Sequence, residues 1–177
     1  NDSRIGIPRL VVARAVLASR RISGALGRTL VSHRAAGYNH LIVHESGEMY
    51  SVEVSARRFN ILHGTDGYMT HTNHYLSSTM KEIERDPEEL ISSRVRYFRA
   101  NRLLRENNTH TIKTLQGIQK DHVNLPNSIC NHNIAGIDPM DRESTIAALV
   151  IDLTAREMHL VWGNPCQNTD HTYHLSG

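Results

Sequence analysis

Cysteine is scarce in this chain: there are two, Cys130 and Cys166, and no CxxC pair. That is too few for a disulfide scaffold and fits a reducing compartment, which makes the cytoplasm the expected location, although a single pairing stays open. Aromatic residues reach only 5%, with one tryptophan, which argues against a surface built to stack bases. Charge of one sign is also lacking. Lys and Arg total 20 against 18 acidic residues, for a net charge of +2, and no polybasic run marks a nucleic-acid or membrane partner. No apolar stretch approaches the ~20 residues that cross a bilayer, and Asn1-Asp2-Ser3-Arg4 has no signal-peptide core. Gly-x-Ser-x-Gly and His-Glu-x-x-His are both missing.

What remains is an ordinary folding composition, 39% hydrophobic and 21% charged over 177 residues, enough for one domain with a core. With no repeat or linker, residues 1–177 read as one unit. A helix is expected from Pro8, burying one broad face of Leu10, Val11, Ala13, Ala15, Val16 and Leu17. A second is expected over 22–32, with Ile22, Ala25, Leu26, Thr29 and Leu30 on one side. Strands 38–45 and 49–54 flank the turn Glu45-Ser46-Gly47-Glu48, and a third strand is expected over 68–73. Asp86-Pro87-Glu88-Glu89 signals a helix start. That helix should run to Glu106 with Ile91, Val95 and Phe98 inward, followed by a shorter one over 111–121. After a long loop, 125–141, strands 145–153 and 158–162 form a hairpin whose two apolar faces suggest a sheet covered on both sides.

Candidate chemistry is thin at the level of single residues. Cys130 stands two residues before His132, and both it and Cys166 read equally as structural thiols. The twelve histidines include His71-x-x-His74 and His171-x-x-His174. On strands, residues three apart point to opposite faces, so neither pair chelates easily, and His159 with Asp170 completes no ligand set. No metal site is expected. Asn73 stands out as a strand-end amide able to donate to a developing oxyanion, although on its own it reads first as a loop residue bonding its own backbone.

The order of short motifs carries more. Gly6-Ile7-Pro8 with Arg14-Ala15-Val16-Leu17, Val52-Glu53-Val54-Ser55, and His71-Thr72-Asn73-His74 follow one another in the first half. Ser93-x-x-Arg96 with Arg99, Asp121-His122, Pro126-x-Ser128-Ile129-Cys130 and Gly163-Asn164-Pro165-Cys166 follow in the second. This series resembles the penicillin acyltransferase family, the autoproteolytic cysteine acyltransferases and hydrolases among the N-terminal-nucleophile (Ntn) hydrolases.

The resemblance implies an α+β fold: the C-terminal portion of a four-layer αββα sandwich of antiparallel sheets. It implies a precursor that cleaves itself before a Cys, whose thiolate then attacks an amide or thioester carbonyl through an acyl-enzyme. Asn73 is then the oxyanion donor, with Thr72 and His74 beside it in the catalytic set, and Glu53, Ser128 and Asn131 as substrate-binding residues. The expected partners are a small amide or acyl substrate and the precursor's own N-terminal segment, with room for a homo-oligomer. No cofactor is implied, and an acyl-CoA donor would enter as substrate. Two departures stand out. Residue 1 is Asn, so the nucleophile is expected in a segment before the Gly-x-Pro turn, and these residues alone are expected to be inactive. Asn131 stands where one acyltransferase of that family has Arg, and Asn cannot pair with a carboxylate as Arg does. A catalytically inactive relative serving as a binding module remains the alternative, and a histidine-dependent metal hydrolase a further one.

Overall fold

The computed structural model describes residues 2–86, 90–136, 138 and 143–174. The sequence reading takes the chain as one unit; its contacts gather into two compact units, Asn1–Leu90 and Ile91–Gly177. The described residues form a mixed α and β structure with five helices and two three-stranded antiparallel sheets.

In the first unit, Gly6-Ile7-Pro8 sets the entry. Ile7 bridges to Arg34 in parallel, and a Cβ on residue 6 would lie 2.1 Å from the His33 carbonyl oxygen, so only glycine passes there. Pro8 is extended and caps α1 (Arg9–Leu17) rather than joining it. The expected broad buried face is not found: α1 turns Val12 inward and leaves Leu10, Val11 and Leu17 exposed. The stripe expected on α2 (Ile22–Thr29) is present, with Ala25 and Thr29 buried.

The sheet of this unit runs β1 (Tyr38–Val43), β2 (Met49–Val54), β3 (Phe59–His63), with β2 in the centre. The β1–β2 hairpin closes where expected, Val43 opposite Met49, and Gly47 takes φ +90° in the turn. From Ser51 to Val54 every residue of β2 is buried. The strand expected over 68–73 does not form. That segment pairs with none of the three strands and attaches to the sheet through side chains instead. A short helix, α3 (Ser78–Lys81), follows it, capped by the Ser77 hydroxyl.

In the second unit α4 spans Ile91–Glu106. Of the expected start signal, Pro87, Glu88 and Glu89 lie outside the described residues, and Asp86 has φ +50°. The expected inner stripe is also revised: Ile91 and Phe98 are exposed, at 60% and 70%, and Ser93 is the buried residue. The short helix α5 (Ile112–Gln119) begins at a capping box in which Thr111 and Thr114 satisfy each other's backbone amides. β4 (Ala147–Asp152) and β5 (Glu157–Trp162) pair as expected, and β6 (Asp170–His174) adds a third strand. One face of this sheet is only partly covered: Leu149, Ile151, Trp162 and Tyr173 share it by register and are exposed, while Leu160 between them is buried. No described helix is long and apolar enough to cross a membrane.

Candidate functional site

The site of the first unit is organised by a buried acid. Glu53 lies on the central strand with no exposed surface. Its Oε1 accepts from the Leu76 amide (2.5 Å) and meets His71 Nε2 at 2.9 Å, while Oε2 accepts from the Ser77 amide at 3.0 Å. Burial alone would raise this carboxyl, but the His71 side chain and the two amides together hold it below its ordinary range. One strand side chain thereby anchors both ends of segment 71–77.

Between those anchors, Thr72 Oγ1 lies 3.2 Å from His74 Nδ1. His74 is buried and Asn73 exposed. Tyr75 closes the segment from below: its hydroxyl donates to the Val54 carbonyl (3.1 Å) and its amide to Glu84 Oε1 (2.6 Å). Burial, and then the Asp2, Glu53 and Glu84 carboxylates, push the Tyr75 phenol up, so it stays protonated. The four residues His71, Thr72, Asn73 and His74 line a cavity of about 650 Å³ along β1, with Arg9 and Arg85 also on its wall. Arg9 is held over the Tyr38 ring at 5.8 Å. The wall also carries the Glu84 and Asp86 carboxylates, so the cavity is polar and of mixed charge.

The expected catalytic trio of Thr72, Asn73 and His74 is thus gathered on one wall. Glu53 lies beneath that wall, not on it. Its carboxylate is fully buried and engaged with His71 and the Leu76 and Ser77 amides.

Ser128 and Asn131 are brought together in the second unit, on a cavity of about 560 Å³ that Arg96 and Glu143 also line. Ser128 is buried and donates to the Cys130 carbonyl at 2.6 Å. Asn131 accepts at Oδ1 from the His132 amide (3.0 Å) and at its carbonyl from Asn164 Nδ2 (2.6 Å). Arg99 grips Asp121 with a two-pronged bond, 3.0 and 2.6 Å, so two separated motifs of the sequence meet as one contact.

Among the histidine pairs weighed in the sequence, His71 faces Glu53 and His74 faces Thr72. His171 and His174 lie on β6 with their partners in register at Leu160 and Glu157. A different set had no sequence signal: the ligand atoms of His122, Cys130, His132 and Cys166 lie within 4.8 Å of one another. The Cys130-x-His132 spacing was the only visible part of it.

A model of the acyl-coenzyme A:6-aminopenicillanic acid acyl-transferase family matches residues 1–167, and the chain belongs to that family. No curated protein matches the chain. Family membership makes the protein an enzyme of the acyltransferase or Ntn-hydrolase kind.

Proposed function

We propose that this chain carries the oxyanion-binding side of a self-processing cysteine amide hydrolase or acyltransferase acting on a small N-acyl, peptide-like or thioester substrate. The observation that supports it is the pairing of an exposed Asn73 on a cavity wall with a buried Glu53 that fixes the segment beneath it. Preorganised donors of that kind are the largest single term in many acyl transfers, because they need no reorganisation when charge develops.

In this reading the nucleophile is an N-terminal Cys contributed by a segment outside these 177 residues, and its own α-amino group takes the thiol proton. The thiolate adds to the substrate carbonyl, and the carbonyl π electrons move onto oxygen. The Asn73 amide donates to that oxyanion. Collapse expels the amine, which takes up the proton, or the thiol in a thioester donor, and leaves an acyl-thioester on the enzyme. Water or an acceptor amine then releases the acyl group. Thr72 and His74 fix the segment from which Asn73 projects. Arg9 and Arg85, with Glu84 and Asp86 on the same wall, suit a polar portion of substrate. Ser128 and Asn131 serve recognition on the second unit, on a cavity that Arg96 and Glu143 also line. The acyl group comes from substrate, acyl-CoA included, with no resident cofactor, and the complete domain is the four-layer αββα sandwich.

The test is intact mass spectrometry of the complete protein with and without an acylating probe. Two fragments, with a stable adduct on a new N-terminal Cys, are expected. A single unlabelled chain would overturn the reading in favour of a catalytically inactive relative.

A further inference from the structure

The second unit brings four soft or borderline ligands to one point from three stretches of chain. His122 follows α5, Cys130 and His132 flank Asn131 in the next loop, and Cys166 lies in the turn after β5. Cys130 Sγ is 3.6 Å from Cys166 Sγ and 3.6 Å from His132 Nε2. Cys166 Sγ is 3.2 Å from His132 Nε2, and the His122 and His132 Nε2 atoms are 2.9 Å apart. All remaining separations stay within 4.8 Å.

The four shortest of these separations are close to the edges of a metal tetrahedron. With Zn–S near 2.3 Å and Zn–N near 2.0–2.1 Å, ideal edges are about 3.8 Å for S–S, about 3.5 Å for S–N and about 3.3 Å for N–N. A Cys₂His₂ set of tetrahedral form suits Zn²⁺ above the harder cations, which prefer oxygen.

The surroundings match a metal centre as well. Asn164 Nδ2 points at Cys130 Sγ at 3.6 Å, the kind of donor that steadies a thiolate. The Cys130 amide is tied to the Asp121 carbonyl (2.9 Å) and its carbonyl to the Ser128 hydroxyl (2.6 Å), while Asp121 is gripped by Arg99. Cys130 is buried, whereas His122 and Cys166 are exposed, which gives an ion a way in.

We propose that His122, Cys130, His132 and Cys166 form a structural zinc site that pins the loop after α5, the Ser128–His132 segment and the turn after β5 to one another. Binding replaces two thiol protons by one Zn²⁺, so the two thiolates and two neutral imidazoles form a site of zero net charge. All four positions are protein ligands, so none is left for water or substrate and the role is structural rather than catalytic. The ion sits beside the second cavity, because Asn131, between two of the ligands, is on that cavity's wall. The site does not depend on the acyl-transfer reading.

The test uses the complete protein, purified without chelator and under reducing conditions, with metal analysis, cobalt exchange and thiol alkylation after denaturation. About one zinc per chain is expected, both cysteines alkylating only after the ion is removed. Co²⁺ should give the visible bands of a tetrahedral thiolate site together with sulfur-to-cobalt charge transfer. Cys166→Ser should weaken the charge-transfer band, and His122→Ala should weaken zinc binding on the order of tenfold or more. Both positions are exposed, and circular dichroism of each variant checks that the fold survives. Metal-free protein that takes up no Co²⁺ would overturn the proposal. So would a Cys130–Cys166 disulfide, seen as a mass lower by two hydrogens and no alkylation, in protein prepared with zinc present.

Discussion

Glu53 Oε1 and His71 Nε2 meet 2.9 Å apart with side-chain exposures of 0% and 8%. The same carboxylate carries the Leu76 and Ser77 amides, so one side chain on the central strand replaces the ladder that segment 71–77 lacks. Where that segment sits, and therefore where Asn73 projects, depends in large part on this buried charge, alongside the Tyr75 bonds to Val54 and Glu84.

Glu53→Gln keeps the shape but removes the charge and turns one acceptor into a donor facing amides. Leaving buried donors poorly matched costs about 1–3 kcal/mol each, so the variant should lose about 2–3 kcal/mol. Denaturant unfolding reads this directly, and an unchanged midpoint would show that the segment is held by something else.

Acid should destabilise the first unit in two stages. Burial, and then Arg34, depress the His40 imidazole. The unfolded chain therefore takes that proton first, near pH ~6.5. Stability is complete above that value and is lost as pH falls toward the lower folded value. Glu53 is depressed for its own reasons, so its contribution is present above the ordinary carboxylate range and drains as pH falls through its folded value. A melting series from pH 7 to pH 2 should fall in two stages, first below about pH 6.5 and again below about pH 4.3, and His40→Gln should flatten only the upper one. A profile rising toward acid would contradict both assignments.

Gly6→Ala places a methyl 2.1 Å from the His33 carbonyl oxygen, a backbone atom that cannot swing aside. Overpacking of this kind costs about 1–3 kcal/mol. Gly27→Ala, with nothing within 4 Å of its added Cβ, is the matched control and should be neutral or stabilising. Equal melting temperatures for the two would count against the close approach at Gly6.

Residues 1–177 expressed alone should self-associate, because Leu149, Ile151, Trp162 and Tyr173 are exposed on one sheet face. Ile151→Lys should shift light-scattering mass toward a monomer. Monomeric wild-type protein at high concentration would contradict this.

The parts of this chain legible in its sequence are those with local codes. The Gly47 turn, the β4–β5 hairpin, the capping residue Thr111 and the α2 stripe each follow from neighbours within a few positions. β6 was missed because Asp170-His171-Thr172-Tyr173-His174 is exposed throughout and carries no apolar alternation. β3 is a five-residue strand entered through a turn in which the Ser55 hydroxyl accepts from the Arg57 and Arg58 amides, a feature without a glycine or proline marker. The segment 68–73 looked like a strand because its residue types suit one, but pairing depends on a partner strand, which no local pattern reports. At the site, the Thr72-Asn73-His74 grouping was visible. The role of Glu53 was not, since it depends on amides more than twenty residues away. The His122, Cys130, His132 and Cys166 cluster needs a contact 34 residues apart, outside any ligand-spacing motif.

The central claim is that Asn73 stabilises an oxyanion, and the most direct measurement is the acylation rate of the complete protein by an activated acyl probe, wild type against Asn73→Ala. Loss of one such donor costs about 10²–10³ in rate, so a fall of that size with unchanged melting temperature is expected. Equal rates in the two proteins would contradict the account and leave Asn73 as an ordinary loop residue.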